Sequence, residues 1–197
     1  DLAGRGARFL VEHMWDPEAG GFVWAVAANG TPIVRDKRTY GQAFAIYALA
    51  EYALASGESW AADWAARTLD VLVEHAADED LGFFERFDGD WRLVAGPAAR
   101  GKTVDVHLHV IEALTRLVEA TGDRQHAARL STVLDLVLSR GVDERYHCAI
   151  DDRLDRDWRW RPSWRRPIGV SYGHAAELAW LAGLAVDVLG APADRVR

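Results

Sequence analysis

The chain has 197 residues, with 23 Lys and Arg against 30 Asp and Glu, a formal charge of −7, and half of its residues hydrophobic. It reads as one globular domain, 1–197, with no internal boundary; it has no apolar run of about eighteen residues to span a membrane, and its acidic balance argues against nucleic acid as main partner. A single thiol, Cys148, excludes an intrachain disulfide framework and a Cys-cluster zinc site, which makes the cytoplasm the expected compartment. Nine Trp is the odd count, since indole faces stack sugars and bases but also fill cores.

The first dozen residues read as helix and position 1 is Asp, so the sequence is expected to begin inside a longer protein. A loop from Asp16 to Phe22 follows. Residues 43–58 (AFAIYALAEYALASGE) are apolar nearly all round, which predicts a covered inner helix ending at Ser56-Gly57-Glu58. Ala61, Trp64, Ala65, Thr68, Leu69, Leu72 and Val73 follow the i, i+3, i+4, i+7 spacing of a half-exposed outer helix. A second acid-to-aromatic loop, Asp78 to Phe83, leads past Trp91–Ala95; that run and Gly21–Ala25 are the short period-two stretches in the chain. Residues 108–123 then repeat the inner pattern, Ala127 to Leu138 the outer one, Asp143 to Ala149 the loop, and 175–190 the inner one again. One constant offset carries Gly57 to Gly122, Lys37 to Lys102, Asp78 to Asp143, His109 to His174 and Glu112 to Glu177. Six helices, or three hairpins, alternating inner and outer, predict an all-α toroid.

The long loops all sit where inner helices begin, so the first turns of those helices should share one mouth. Lys37, Tyr40, Gln42 and Phe44 gather there, with Lys102, Asp105, His107 and His109, and with Ser171, Tyr172, His174 and Glu177. Ser171 is the expected N-cap of the last inner helix. His107 and His109 are two positions apart and face nearly opposite ways; the repeat register assigns His109 to the mouth and leaves His107 to hydrogen-bonded packing.

The segments KRTYGQAFAIYALAEY (37–52), DVHLHVIEAL (105–114), SYGHAAELAWL (171–181) and DPEAGGFVW (16–24) resemble the N-acylglucosamine 2-epimerase family, most closely its cellobiose 2-epimerase branch. The resemblance implies an (α/α)6 barrel of which this chain holds about half, and interconversion of aldoses at C2, or of aldoses with ketoses, without metal or organic cofactor. It implies that His174 is one of two catalytic histidines, that Glu177 orients it or contacts sugar, and that His109 contacts the reacting end. From their places at the expected mouth and lid, Tyr40, Lys37, Lys102, Asp105, Tyr172, Trp160 and Trp180 are the expected substrate-binding residues, with a helix-start role as the alternative for Lys102. The second histidine and a substrate-binding arginine are expected outside this chain, leaving it inactive alone. Asp105 stands where the family usually carries Asn, and Ala175 where the sugar branch often has Asp. The expected partner is a mono- or disaccharide, with no nucleic acid and no membrane; a homodimer is left open.

Chemistry points the same way. Epimerising C2 requires removal of the proton alpha to an aldehyde and its return on the other face, work suited to imidazoles near neutral pH. Glu177, at i+3 from His174, shares its helical face. Aldose–ketose isomerisation within the same family and a non-catalytic binding protein on the same barrel are the alternatives. Gly96 to Thr103 matches the phosphate-loop pattern, but the chain offers no β-branched runs for the parallel sheet such a loop needs. His109-x-x-Glu112 and His174-x-x-Glu177 have metal-ligand spacing, yet the corresponding first-repeat positions are Phe44 and Tyr47. The Arg153–Arg166 stretch, with Trp158, Trp160 and Trp164, would suit single-stranded nucleic acid, but neighbouring Asp residues cut its charge. A sugar-stacking lid fits it better.

Overall fold

Six α-helices occur where the periodicity places them in the computed structural model, which describes residues 1–96, 99–151, 153–160 and 169–192. Helix α1 (Leu2–Phe9) is capped by Asp1, whose carboxylate accepts the Gly4 N–H at 3.0 Å, and it runs on into a π-helical turn, Leu10–Met14. Helices α2 (Thr39–Ser56) and α3 (Ser59–Ala76) form one hairpin, and α4 (Val104–Thr121) and α5 (Arg124–Arg140) a second. Helix α6 is Tyr172–Leu189. Gly57, Gly122 and Gly190 end α2, α4 and α6 in the left-handed conformation, at φ 74, 63 and 60°, where glycine carries no Cβ penalty. The first two of these open turns so short that the next helix must return antiparallel.

Helices α2, α4 and α6 make the inner layer, with α4 packed between the other two; α3 backs α2 and α5 backs α4. The outer helix α3 buries Ala61, Ala65, Thr68, Leu69 and Leu72 of the predicted stripe, with Ala62 and Ala76 beside them, while Trp64 and Val73 are half-buried. Helix α4 buries both faces, from Val104 and Val106 through Leu114 and Leu117. Expected to be covered on every side from Leu178 to Val186, α6 is not: Trp180 is 58% exposed, since among the described residues α6 packs on α4, α5 and the strand Cys148–Ala149. Among the described residues no helix is long and apolar enough to cross a membrane.

The loops carry more β structure than the sequence suggests. β1 (Ala25–Val26) pairs with β2 (Pro32–Val34), β3 (Lys37–Arg38) with β4 (Arg86–Phe87), and β5 (Val142–Asp143) with β6 (Cys148–Ala149), all antiparallel. Strands of two or three residues are too short to show a period of two. Trp91–Ala95 contributes only the bridge from Leu93 to Phe87. The β3–β4 pair ties the entry of α2 to the following loop. Lys102 does the same for α4, exchanging backbone hydrogen bonds of 3.0 and 2.8 Å with Leu154. Both of these inner-helix entries are thereby stitched to the next unit around the arc. Such antiparallel stitches offer no parallel sheet for a phosphate loop, of which residues 97 and 98 lie outside the described residues.

The repeat is less regular than the constant offset implies. That offset relates the starts of α2 and α4, at Thr39 and Val104, but α6 starts at Tyr172, three positions later than it predicts. Their glycine caps shift by the same amounts. His109 therefore corresponds to Glu177 and to Phe44, and His174 stands one helical turn nearer the loop than the uniform offset suggests.

Candidate active site at the inner-helix entries

Beneath the mouth lies a layer of buried charge. The Lys37 and Lys102 side chains are fully buried, with Nζ 2.9 Å from Asp16 and 2.9 Å from Asp78 respectively. Both carboxylates open an acid-to-aromatic loop. Arg35 adds a bond to Asp16 at 3.0 Å, and Arg156 donates through Nε to both oxygens of Asp78. Burial drives both lysine pKa values down, against the pull of their carboxylates. Burial would raise Asp16 and Asp78, but their hydrogen bonds, led by Lys37 and Arg156, hold both below the usual carboxylate value. The structure thus places Lys37 and Lys102 under the mouth and not in it: their recurrence at the repeat offset marks a repeated strut.

The next layer pins the loop aromatics. Gln42 and His107 occupy the same register position of α2 and α4. The Gln42 amide accepts from the Phe22 N–H and donates to the Phe22 carbonyl, both at 2.8 Å. His107 Nε2 accepts the Phe83 N–H at 3.0 Å, so Nδ1 carries the proton that it donates to the Thr103 carbonyl at 2.8 Å. Complete burial pushes the His107 pKa down to about 3. Its ring meets Trp158 edge-on at 4.7 Å, and a Cβ on Gly82 (φ +84°) would come within 2.5 Å of Nε2, so that turn needs glycine.

Above these layers His109 faces the mouth. Its ring lies 5.0 Å from that of Tyr40 and 4.8 Å from that of Phe44, with Nδ1 3.3 Å from Glu112 and Nε2 3.5 Å from Asp105. Burial opposes its charged form, but Asp105 and Glu112, with the field of Glu177, outweigh that and raise its pKa. Asp105 is held below the usual carboxylate range, first by its bond with His109. Burial raises the Tyr40 hydroxyl, and the charges of Asp105, Glu177 and Glu112 add to the effect.

His174 enters from α6. Ser171 caps that helix as predicted, accepting the His174 N–H at 3.2 Å. His174 Nε2 lies 3.7 Å from the same Asp105 oxygen that His109 faces, and Nδ1 lies 2.9 Å from Asp151. One carboxylate oxygen therefore sits between two imidazoles. The carboxylate against His174 Nδ1 is Asp151 and not Glu177, whose charge is felt by Tyr40 and His109 instead. Asp151 does not stand out in the sequence as a site residue, and Glu112 stands out only through its metal-ligand spacing from His109. Glu112 is legible as the i+3 partner of His109; Asp151, at the far end of the loop that precedes α6, carries no spacing signal.

The aromatic candidates divide. Tyr172 and Trp180 stand exposed on α6, while Trp160 is half-buried and packs against the core. Trp164 and the rest of the expected lid, 161–166, lie outside the described residues. Among the described residues no three His, Cys, Asp or Glu side chains are grouped to hold a metal ion.

An arc of inner and outer helices with histidines at the inner-helix entries defines a class. The sequence profile of the N-acylglucosamine 2-epimerase (GlcNAc 2-epimerase) family matches residues 1–188, and the chain belongs to that family. It is 31% identical over 198 residues to the cellobiose 2-epimerase of Bacteroides fragilis, covering 96% of this chain and 49% of that protein. With the cellobiose 2-epimerase of Ruminococcus albus it shares 35% over 202 residues, again 96% and 49%, and with the D-mannose isomerase of Thermobifida fusca 28% over 199 residues, 91% and 45%. The chain spans about half the length of these curated relatives. The cellobiose 2-epimerase structure from Bacillus thermoamylovorans superposes with a TM-score of 0.87 at 27% identity, covering 98% of this chain and 50% of that one. The six helices are accordingly about half of an (α/α)6 barrel.

Proposed function

We propose that the complete protein is a sugar isomerase that epimerises C2 of a reducing-end aldose, in a mono- or disaccharide, through an enediol. The observation that carries this reading is the approach of His109 and His174 to one oxygen of Asp105, in a chain of this family. In the open-chain sugar His174 takes the C2 proton. The C–H pair becomes the C1–C2 double bond and the carbonyl pair moves onto O1. His109, flanked by Asp105 and Glu112 and so favoured as a cation, stands beside the developing negative charge. Return of a proton to the opposite face of C2 restores the aldehyde with the centre inverted. That proton comes from a second histidine in the remainder of the protein, which leaves this chain inactive alone. The reaction moves protons without net redox change, so imidazoles and carboxylates suffice for it.

Tyr40, Asp105 and Glu177 would contact the reacting end of the sugar, and Tyr172, Trp180 and Trp160 its rings. The working compartment is the cytoplasm. A second reading, an aldose–ketose isomerase returning the proton to C1, draws on the likeness to a D-mannose isomerase. Incubating the complete protein with mannose, glucose or cellobiose in D2O and locating deuterium by NMR tests both. Deuterium at C2 with inversion is expected. Deuterium at C1 of a ketose would select the second reading, and no incorporation from any sugar would reduce the barrel to a binding protein.

A further inference from the structure

We infer that Asp151 is a positioning residue for His174: its carboxylate holds the imidazole in the Nδ1–H tautomer and so presents the Nε2 lone pair to the mouth. The inference rests on the reading of His174 as the base. A carboxylate only accepts hydrogen bonds, so the ring nitrogen 2.9 Å from Asp151 Oδ1 carries a proton. In the neutral ring Nε2 is then the basic nitrogen; it lies on the Asp105 side but 3.7 Å from that carboxylate, beyond hydrogen-bond reach, so Asp105 does not compete with Asp151 for the ring proton.

The two partners arrive on independently fixed backbone. Ile150 bridges Val170 in antiparallel fashion, the Asp151 N–H donates to the Gly169 carbonyl at 2.9 Å, and the Ser171 N–H donates to the Ala149 carbonyl at 3.4 Å. That short ladder sets Asp151 beside the first turn of α6, and the Ser171 cap sets His174 upon it. The register supplies a second argument. Gln42 and His107 pin the loop backbone in the first two units, but the corresponding residue of α6 is Ala175, a methyl group that offers no hydrogen bond. In the third unit a tie between loop and helix runs through Asp151 and His174 instead. The side chains are 48% and 29% exposed, and pairs that open add little to stability. What the contact fixes is the direction of the ring, the property a proton-transfer imidazole needs.

The test uses the complete protein with 15N-labelled histidine, comparing wild type, Asp151→Asn and Asp151→Glu, with the His174 signals assigned from their loss in His174→Gln. Wild type should show the Nδ1–H form. Asp151→Asn can turn its amide N–H to Nδ1 and should shift the ring toward Nε2–H. With it, deuterium exchange at C2 should fall about 10²–10⁴-fold in kcat with KM little changed, since one general base typically contributes that much. Asp151→Glu keeps an acceptor and should retain both the tautomer and part of the rate. An Nε2–H ring in wild type, or an Asp151→Asn variant with unchanged tautomer and rate, overturns the inference. If the complete protein turns over no sugar, the proposed function fails, and the tautomer comparison alone still decides for or against Asp151.

Discussion

His107 and His109 stand two positions apart on α4, about 200° around its axis, and the environment gives them opposite chemistry. His107 is fully buried, spends both nitrogens on backbone, and is pushed down to about 3. His109 meets Asp105 and Glu112 at the mouth, and its pKa rises. The same division separates the buried lysines from the carboxylates above them. Residue type alone does not mark a site in this fold, because the entries of α2 and α4 each use a structural layer to anchor a long loop, and that layer also uses charged and titratable groups.

The sharpest way to break the comparison is to truncate each histidine in the complete protein. His109→Ala should lower deuterium exchange at C2 by about 10²–10⁴-fold with helix content intact. His107→Ala should leave the rate per folded molecule within about tenfold of wild type. It should instead lower stability by about 2–4 kcal/mol, through a cavity and a Phe83 N–H left without its acceptor. Equal effects of the two variants on exchange would erase the distinction between layers.

Lys102 extends the comparison to the strut below. It is fully buried against Asp78 and far from free to meet a sugar or a phosphate. Lys102→Ala leaves the Asp78 charge short of one partner, a loss of about 3–5 kcal/mol for a buried pair broken on one side, softened here by Arg156 on the same carboxylate. Urea unfolding should report that loss, and turnover per folded molecule should hold. A variant of normal stability with raised KM would return Lys102 to the mouth.

Much of this is legible in the sequence. The outer stripes, the glycine stops and the Ser171 cap follow from local rules of periodicity and capping, and the two-position step from His107 to His109 already says that one of them is structural. Lys37 and Lys102 visibly recur, yet their register at the expected mouth assigns them to substrate, because a constant spacing does not tell a strut from a ligand. The partner that decides it, Asp16 or Asp78, lies across a loop. Asp151 is hidden for the same reason, since a three-residue antiparallel ladder has no sequence period. The three extra residues of the third unit are masked because the uniform offset lands one histidine, His109, on another, His174.

The smallest expected effect, and the most selective, is the pH dependence of stability. His107 has a folded pKa of about 3 against about 6.5 unfolded. Between those values the unfolded chain binds a proton that the folded one refuses, so its contribution is complete above about pH 6.5 and falls by about 1.4 kcal/mol per unit as pH drops below it. His109 acts with the opposite sign: its pKa is raised on folding, so its contribution is complete below about 6.5 and is lost as pH rises through the folded value. Burial raises Glu85 as well, which adds stability lost on raising pH, while Asp16 and Asp78, held low, lose theirs only as pH falls further. Subtracting variant from wild type cancels these shared groups. Unfolding free energies of the complete protein between about pH 5 and 6.5 should therefore fall less steeply with acid in His107→Gln than in wild type, and His109→Gln should reduce the loss above that window. A His107→Gln curve parallel to wild type across that window would mean that His107 is charged in the folded state, and the buried layer would then be chemically no different from the mouth.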